Sequence, residues 1–178
     1  MIITIEPVNL EPVLSALSRI PGGIERATRS AIRRTLKGGR KDAGTLTRRR
    51  YTLPAGVVTS SLSIKVSGMS GEMRSRGGRN PLEKAKTNPK GRIRTRGRYI
   101  RAEVVRGQGG ILPKAFRPHG AAIYERVGRT RYPIQRLTTV SAPGMVSHPS
   151  ISEPIANKMS QRFSVNFLHE AAAVLGGF

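Results

Sequence analysis

The chain has 178 residues, enough for one domain, or one domain with an arm, burying roughly 70% of its extended surface. Lys and Arg number 32 against 10 Asp and Glu, a formal net charge of +22, with Arg supplying 24 of the 32 cations. Such self-repulsion demands a polyanion, acidic partner subunits or an extended surface, and disfavours an enzyme of small neutral metabolites; the absence of Cys removes disulfides, thiolate metal sites and Cys nucleophiles together.

Residues 1–7 (MIITIEP) are rich in β-branched side chains and alternate weakly, which predicts a short strand ended by Pro7. The first twenty residues hold Glu6, Glu11 and the single cation Arg19, unlike the basic start and apolar run of a signal peptide. No apolar run approaches the ~20 residues of a membrane helix, so the expectation is a soluble protein in cytoplasm-like surroundings. Asn9 is placed to cap a short helix whose apolar set is Leu10, Val13, Leu14, Leu17 and Ile20, stopped by Pro21-Gly22-Gly23. From Ile24 to Arg50, Ala27, Ala31, Ile32, Leu36, Ala43 and Leu46 recur at helical spacing between ten Arg or Lys. A basic helix of this length spans about 40 Å, and Gly38-Gly39, costing roughly 2 kcal/mol of propensity, marks a kink or break in it if there is one.

Tyr51-Thr52-Leu53-Pro54 ends that helix; residues 55–62 predict a short helix and residues 63–67 a strand, with Gly68 and Gly71 around a turn. Residues 72–98 change composition: between 72 and 106 there are 12 cations and 3 acids, with Gly77-Gly78 and Asn88-Pro89 as breakers. This stretch is expected to form no core and to stay mobile until an anionic surface or a neighbouring subunit orders it. Residues 99–106 recover strand alternation and 107–110 form its turn; 121–127 predict another strand, and 128–131 a hairpin-like turn into 132–134. Residues 141–149 (SAPGMVSHP) read as a linker. The last segment places Ile151, Ile155, Met159, Phe163, Phe167, Leu168, Ala171, Ala172 and Leu175 on one stripe of a helix with no net charge, stopped by Gly176-Gly177.

Catalysis needs convergent titratable or ligand groups, and the supply is three His (His119, His148, His169) and one Asp, Asp42. No metal-spaced His pair, nucleophile elbow, phosphate loop or dinucleotide fingerprint occurs, so no enzyme activity, metal or cofactor is expected. The basic groups carry the functional expectation. Arg48, Arg49 and Arg50 close the long helix, where they complement its negative end and also suit phosphates or an acidic partner. Arg92, Arg94, Arg96 and Arg98 alternate with Ile93, Thr95 and Gly97, which in an extended strand puts four guanidinium groups on one face about 6–7 Å apart. That spacing fits nucleic-acid phosphates or a row of acidic side chains, with a solvated loop as the bland alternative. Base readout is poorly supported, since only eight aromatic residues are present and no single-strand signature appears.

Ala115-Phe116, then Ile123-Tyr124-Glu125-Arg126-Val127-Gly128, Arg131-Tyr132-Pro133-Ile134 and Ser141-Ala142-Pro143-Gly144-Met145 resemble, in order and spacing, the minor tail protein Z or tail-completion family of tailed bacteriophages. The basic helix followed by Tyr51-Thr52-Leu53-Pro54-Ala55 is similar too. The resemblance covers roughly residues 20–150 and implies a non-enzymatic virion protein at the head-proximal end of the tail, assembled in the host cytoplasm, that helps join head to tail and hold the DNA. It carries over Phe116, Arg126, Arg131, Pro133 and Ile134 as motif positions: an apolar anchor, an Arg beside a strand, and a Pro-Ile pair at the exit of a turn. The basic stretch at 74–98 is longer than the family pattern.

The resulting expectation is an α+β domain over residues 1–150 with a basic insertion at 72–98, and a C-terminal helix over 151–178 packing on it or on a neighbour. An antiparallel sheet of three to five strands is packed by the long basic helix and the C-terminal amphipathic helix. The resemblance implies a homo-oligomer, a hexameric ring by tail symmetry, meeting tail-terminator, tail-tube or head-connector proteins, with backbone contact to DNA; a closed ring needs heterologous interfaces, for which Phe163, Phe167 and Leu168 are candidates. The alternative is a basic nucleic-acid-binding protein of ribosomal or chromatin-like type.

Overall fold

A computed structural model describes residues 11–91, 99–118 and 120–177 of the chain. In order its elements are α1 (Glu11–Ser18), α2 (Gly23–Arg50), α3 (Ala55–Ser61), β1 (Leu62–Ser67), β2 (Ser70–Ser75), β3 (Arg79–Pro81), a 3-10 turn (Leu82–Lys84), β4 (Lys86–Asn88), β5 (Ile100–Val105), β6 (Gln108–Leu112), β7 (Ala115–Phe116), β8 (Tyr124–Arg126), β9 (Ile134–Arg136), β10 (Thr138–Ser141), α4 (Ala142–Val146) and α5 (Pro149–Leu175). The architecture is α+β: several small antiparallel sheets around a packed pair of long helices.

The pairing of α2 with α5 follows from side-chain size. Every fourth residue of α2 from Gly23 is small and buried: Gly23, Ala27, Ala31, Thr35, Gly39, Ala43, Thr47. Every fourth residue of α5 from Ile151 is buried too, and most are large: Ile151, Ile155, Met159, Phe163, Phe167, Ala171. Large ridges on one helix fill the shallow groove left by small residues on the other. Each fully buried Ile, Met or Phe contributes about 1.5–3 kcal/mol from its apolar area. The helices run antiparallel, because Arg34 pairs with Glu170 at 3.0 Å, Thr35 Oγ1 accepts from Asn166 at 2.9 Å, and Asp42 pairs with Arg162 at 2.7 Å.

Gly38-Gly39 lies inside an unbroken α2. A Cβ on Gly39 would stand 2.5 Å from Met159 Sδ, and one on Gly38 would collide with the Arg162 guanidinium. The two glycines therefore let α5 approach, and tertiary packing outweighs their propensity cost. The buried side of α2 adjoining that row, through Ile32 and Leu36, lies against the hairpin of β1 and β2. α1 packs on both long helices through the buried Leu17.

The strands form four separate sheets rather than one of three to five strands: β1-β2, β3-β10, β4-β5-β6 and β7-β8-β9. This corrects the expectation for residues 72–91, the described part of the 72–98 stretch. Within it, β2, β3, β4 and the 3-10 turn each find a partner, and Met73, Asn80, Leu82, Ala85 and Thr87 are buried. This described part, cationic and with few apolar residues, is ordered because its backbone pairs with β1, β5 and β10, and Met73, Leu82 and Ala85 point inward. The turn after β5 is also shorter than expected. Gly107, at φ +78, makes it, and Gly109 and Gly110 belong to β6.

Residues 141–149 are not a linker. Ser141 Oγ accepts from Gly144 N at 3.2 Å and starts α4, whose Ala142, Met145 and Val146 are buried. α5 then begins at Pro149, with His148 as its cap. The predicted strand at residues 1–7, the Asn9 cap and Leu10 fall outside the described residues.

Candidate functional site

The exposed side of α2 is strongly cationic. Arg26, Arg29, Arg33, Lys37 and Lys41 are exposed and share one face at 100° per residue, a stripe of about 22 Å, and the exposed Arg48 lies in line with them beyond Gly44, which α3 covers through Ala55 and Thr59. The sequence builds this face and the α5 groove together, because small residues at every fourth position leave the remaining turns of the helix to cations. Only Arg34, at the edge of the stripe, meets a carboxylate, Glu170; none of those six has an acidic partner within 4 Å among the described residues.

At the end of that stripe Arg48 and Arg49 are exposed and Arg50 is half-buried, its guanidinium 5.8 Å from the Tyr51 ring. The carbonyls of the last turn are met from elsewhere. Arg106 Nε donates to the Arg48 carbonyl at 2.7 Å and Arg106 N to the Arg50 carbonyl at 2.8 Å. The side chains of Arg48 and Arg49 stay directed at solvent. Arg92, Arg94, Arg96 and Arg98 fall outside the described residues, as does His119.

The motif positions gather on one small sheet. Phe116 in β7 pairs with Tyr124 in β8, their ring centroids 6.4 Å apart, and the Arg126 guanidinium sits 5.5 Å from the Phe116 ring. Ile134 opens β9 directly opposite Arg126. Pro133 accepts from Val127 N at 3.1 Å, closing the loop, and Arg131 on that loop lies 5.6 Å from the Tyr132 ring. Phe116 is half-buried; Arg126, Arg131 and Pro133 are exposed.

The candidate subunit contacts divide. Phe163 and Phe167 are each 2% exposed, with ring centroids 6.1 Å apart in the core between α5 and α2, so they are consumed by packing within the chain. Leu168 is 47% exposed and Val165 67%, which leaves an apolar outer face on α5. Of the histidines, His148 accepts from Ser150 N through Nδ1 at 3.3 Å and His169 is exposed on α5.

One group carries no signal in the sequence. Arg117 is 1% exposed, beside an open cavity of about 420 Å³ whose wall includes Glu83, Lys84, Lys86, Thr87 and Lys90. Nothing local sets this Arg apart from the other 23. Its burial is created by strands brought together from residues 86–88 and 100–105. Nearby, the Lys86 ammonium and then the Gly107 N–H hold the Glu103 carboxyl below the ordinary range, against a smaller opposing effect of burial. The Glu83 carboxylate, bonded to Arg136, raises the Arg136 guanidinium above its usual value.

Among the described residues no three His, Cys, Asp or Glu cluster as a metal site would need, and no helix is long and apolar enough to cross a membrane. No family model, no curated protein and no solved structure matches this chain.

Proposed function

We propose that the chain is a structural protein of a tailed-phage virion, a tail-completion or neck component at the head-proximal end of the tail. It works without catalysis or a cofactor, as a homo-oligomeric, hexameric ring that helps join head to tail and position the DNA. Its neighbours are tail-terminator, tail-tube or head-connector proteins, and it is assembled in the host cytoplasm. The observation that carries the reading is the gathering of Phe116, Arg126 and Ile134 on the β7-β8-β9 sheet, with Pro133 on the loop that enters β9, since residues of a shared motif should be neighbours in space. The stripe on α2 supplies the surface for a polyanion or acidic neighbour, and the exposed Val165 and Leu168 supply apolar area for a heterologous contact.

The stripe also favours the second reading, a basic nucleic-acid binder contacting phosphates only. Mass determination of the purified protein across salt, with and without duplex DNA, separates the two. A hexamer-sized particle, or a monomer that assembles only with tail components, supports the tail reading. A monomer that binds DNA or RNA with a steep salt slope and never assembles overturns it. Replacing Arg29, Arg33 and Lys37 together by Ser leaves stability within about 0.5 kcal/mol per site, because all three are exposed, and weakens assembly or DNA retention. Unchanged assembly and DNA binding in that variant would remove the stripe from either function.

A further inference from the structure

The outer edge of β6 is open and unguarded. The order β4-β5-β6 leaves that edge without a strand partner among the described residues. Free edges are commonly protected by a charge or a proline, and other strands here follow the rule with Lys65 in β1, Arg74 in β2 and Arg136 in β9. β6 carries neither, and four of its five residues are exposed, Ile111 at 57%. Gly109 and Gly110 weaken it as a strand, and glycines in a strand often mark the close approach of another backbone. A Cβ on Gly110 would meet nothing within 4 Å, so room remains beside it on the side of the sheet where Ile100 and Leu112 face the core.

The chain holds a segment of matching chemistry. Residues 1–7, outside the described residues, read from the sequence as a strand, with Met1, Ile3 and Ile5 on one face and Ile2, Thr4 and Glu6 on the other. Glu6 is the only charged side chain among the first ten residues, so this segment approaches a copy of net charge +22 by attraction and not repulsion. The β6 of its own chain is out of reach. α2 has 28 residues, about 42 Å, and the β4-β5-β6 sheet meets it at its C-terminal end, where Arg106 N donates to the Arg50 carbonyl and Tyr51 pairs with Val105. α1 leads into the opposite end, where Gly23 N donates to the Ile20 carbonyl at 2.9 Å. Eight residues of α1 span about 12 Å, which leaves about 30 Å between Glu11 and that sheet. Residues 8–10 bridge about 10 Å of it, too little to lay residues 1–7 along β6.

We infer that residues 1–7 of one copy add as an antiparallel strand to the outer edge of β6 in a second copy. Ile3 and Ile5 lie on the core side beside Gly110 and Leu112, and Ile2 and Thr4 on the outer side with Ile111. Donor and acceptor sit toward opposite ends of α2, so the contact is heterologous, and a copy that has donated keeps its own β6 free for another. The inference goes beyond the tail reading, because it specifies how copies join and not which particle they build, and it fails separately.

The test is sedimentation of the full chain at up to about 100 μM, in physiological salt to screen the net charge. The wild type should form oligomers. Ile111→Lys, which puts a charge on the edge, should give a monomer of unchanged melting temperature, since Ile111 is exposed, while Ile111→Val should keep the oligomers. Ile3→Asp with Ile5→Asp should give a monomer too. Mixing the two monomeric variants is decisive: one keeps a working donor and the other a working edge, so the mixture should form a dimer and nothing larger. A wild-type monomer overturns the inference and leaves the tail reading to its own test with tail components. Oligomers that survive Ile111→Lys also overturn it, and survival of the Ile3 and Ile5 variant alone overturns the donor, pointing to β6 paired with β6. A mixture that stays monomeric rules out the strand exchange.

Discussion

The helix pair and the four sheets solve the same problem in different ways. α2 and α5 meet through a row of small residues and a row of large ones, so their stability rests on apolar volume fitted at every fourth position. The sheets have two or three short strands each and hold few buried apolar residues. They rely instead on backbone pairing reinforced by polar side chains: Thr52 Oγ1 accepts from Lys86 N at 3.1 Å, Asn80 Nδ2 donates to the Val140 carbonyl at 2.7 Å, and Glu103 Oε1 accepts from Gly107 N at 2.9 Å. A chain this cationic can keep its net charge away from a compact helical core and still order a basic middle, provided the middle is ordered by hydrogen bonds rather than by hydrophobic bulk.

The largest effect that would break this comparison is expected at Phe163. Phe163→Ala should cost about 3–5 kcal/mol in chemical denaturation, as the ring fills the α2 groove and the site cannot collapse around an antiparallel neighbour. Ile134→Ala, at the one half-buried position of β9, should cost about 1 kcal/mol. Equal losses would mean that the sheets share the helix core's dependence on apolar volume.

A smaller effect sharpens the size argument. Gly39→Val should destabilise by about 1–3 kcal/mol through overpacking against Met159, and Met159→Ala in the same chain should recover part of it. The cycle should show a coupling of about 0.5–3 kcal/mol, and strict additivity would separate Gly39 from the α5 contact.

The smallest effect is acid sensitivity confined to the β4-β5-β6 sheet. Because folding lowers the Glu103 pKa, its contribution is fully present above the unfolded value, about 4.3, and is lost as pH falls through the lower folded value. Glu103→Gln should flatten the stability profile in that acid window. Hydrogen exchange there should rise at the amides of β5 and β6 before those of α2 and α5. Loss of protection in the helices first would reverse the ranking.

Much of the helical framework is legible in the amino-acid sequence. The apolar spacing from Ile24 to Arg50 and from Ile151 to Leu175 specifies both long helices to within a few residues, because a 3.6-residue period is written locally. The stripe from Ile151 through Phe167 to Ala171 indicates a packing face, but not that α2 of the same chain fills it. The middle is illegible for a matching reason. β3 and β4 are three residues each, and β3 pairs with β10 nearly sixty residues later, so no local window contains the interaction that orders them. Arg117 is hidden in the same way, since its burial depends on strands from distant segments and its residue type points to the surface.

The sequence by itself determined the helix periods, the separation of a cationic middle from near-neutral ends, and the poverty of catalytic groups, because composition and period are properties of the chain alone. Only the tertiary structure decided that Gly38-Gly39 is a close helix crossing rather than a break, that the basic middle is paired into small sheets, and that one arginine among 24 is buried beside a cavity. Each of those outcomes turns on which distant residues meet, and the free energy of a meeting belongs to both partners at once.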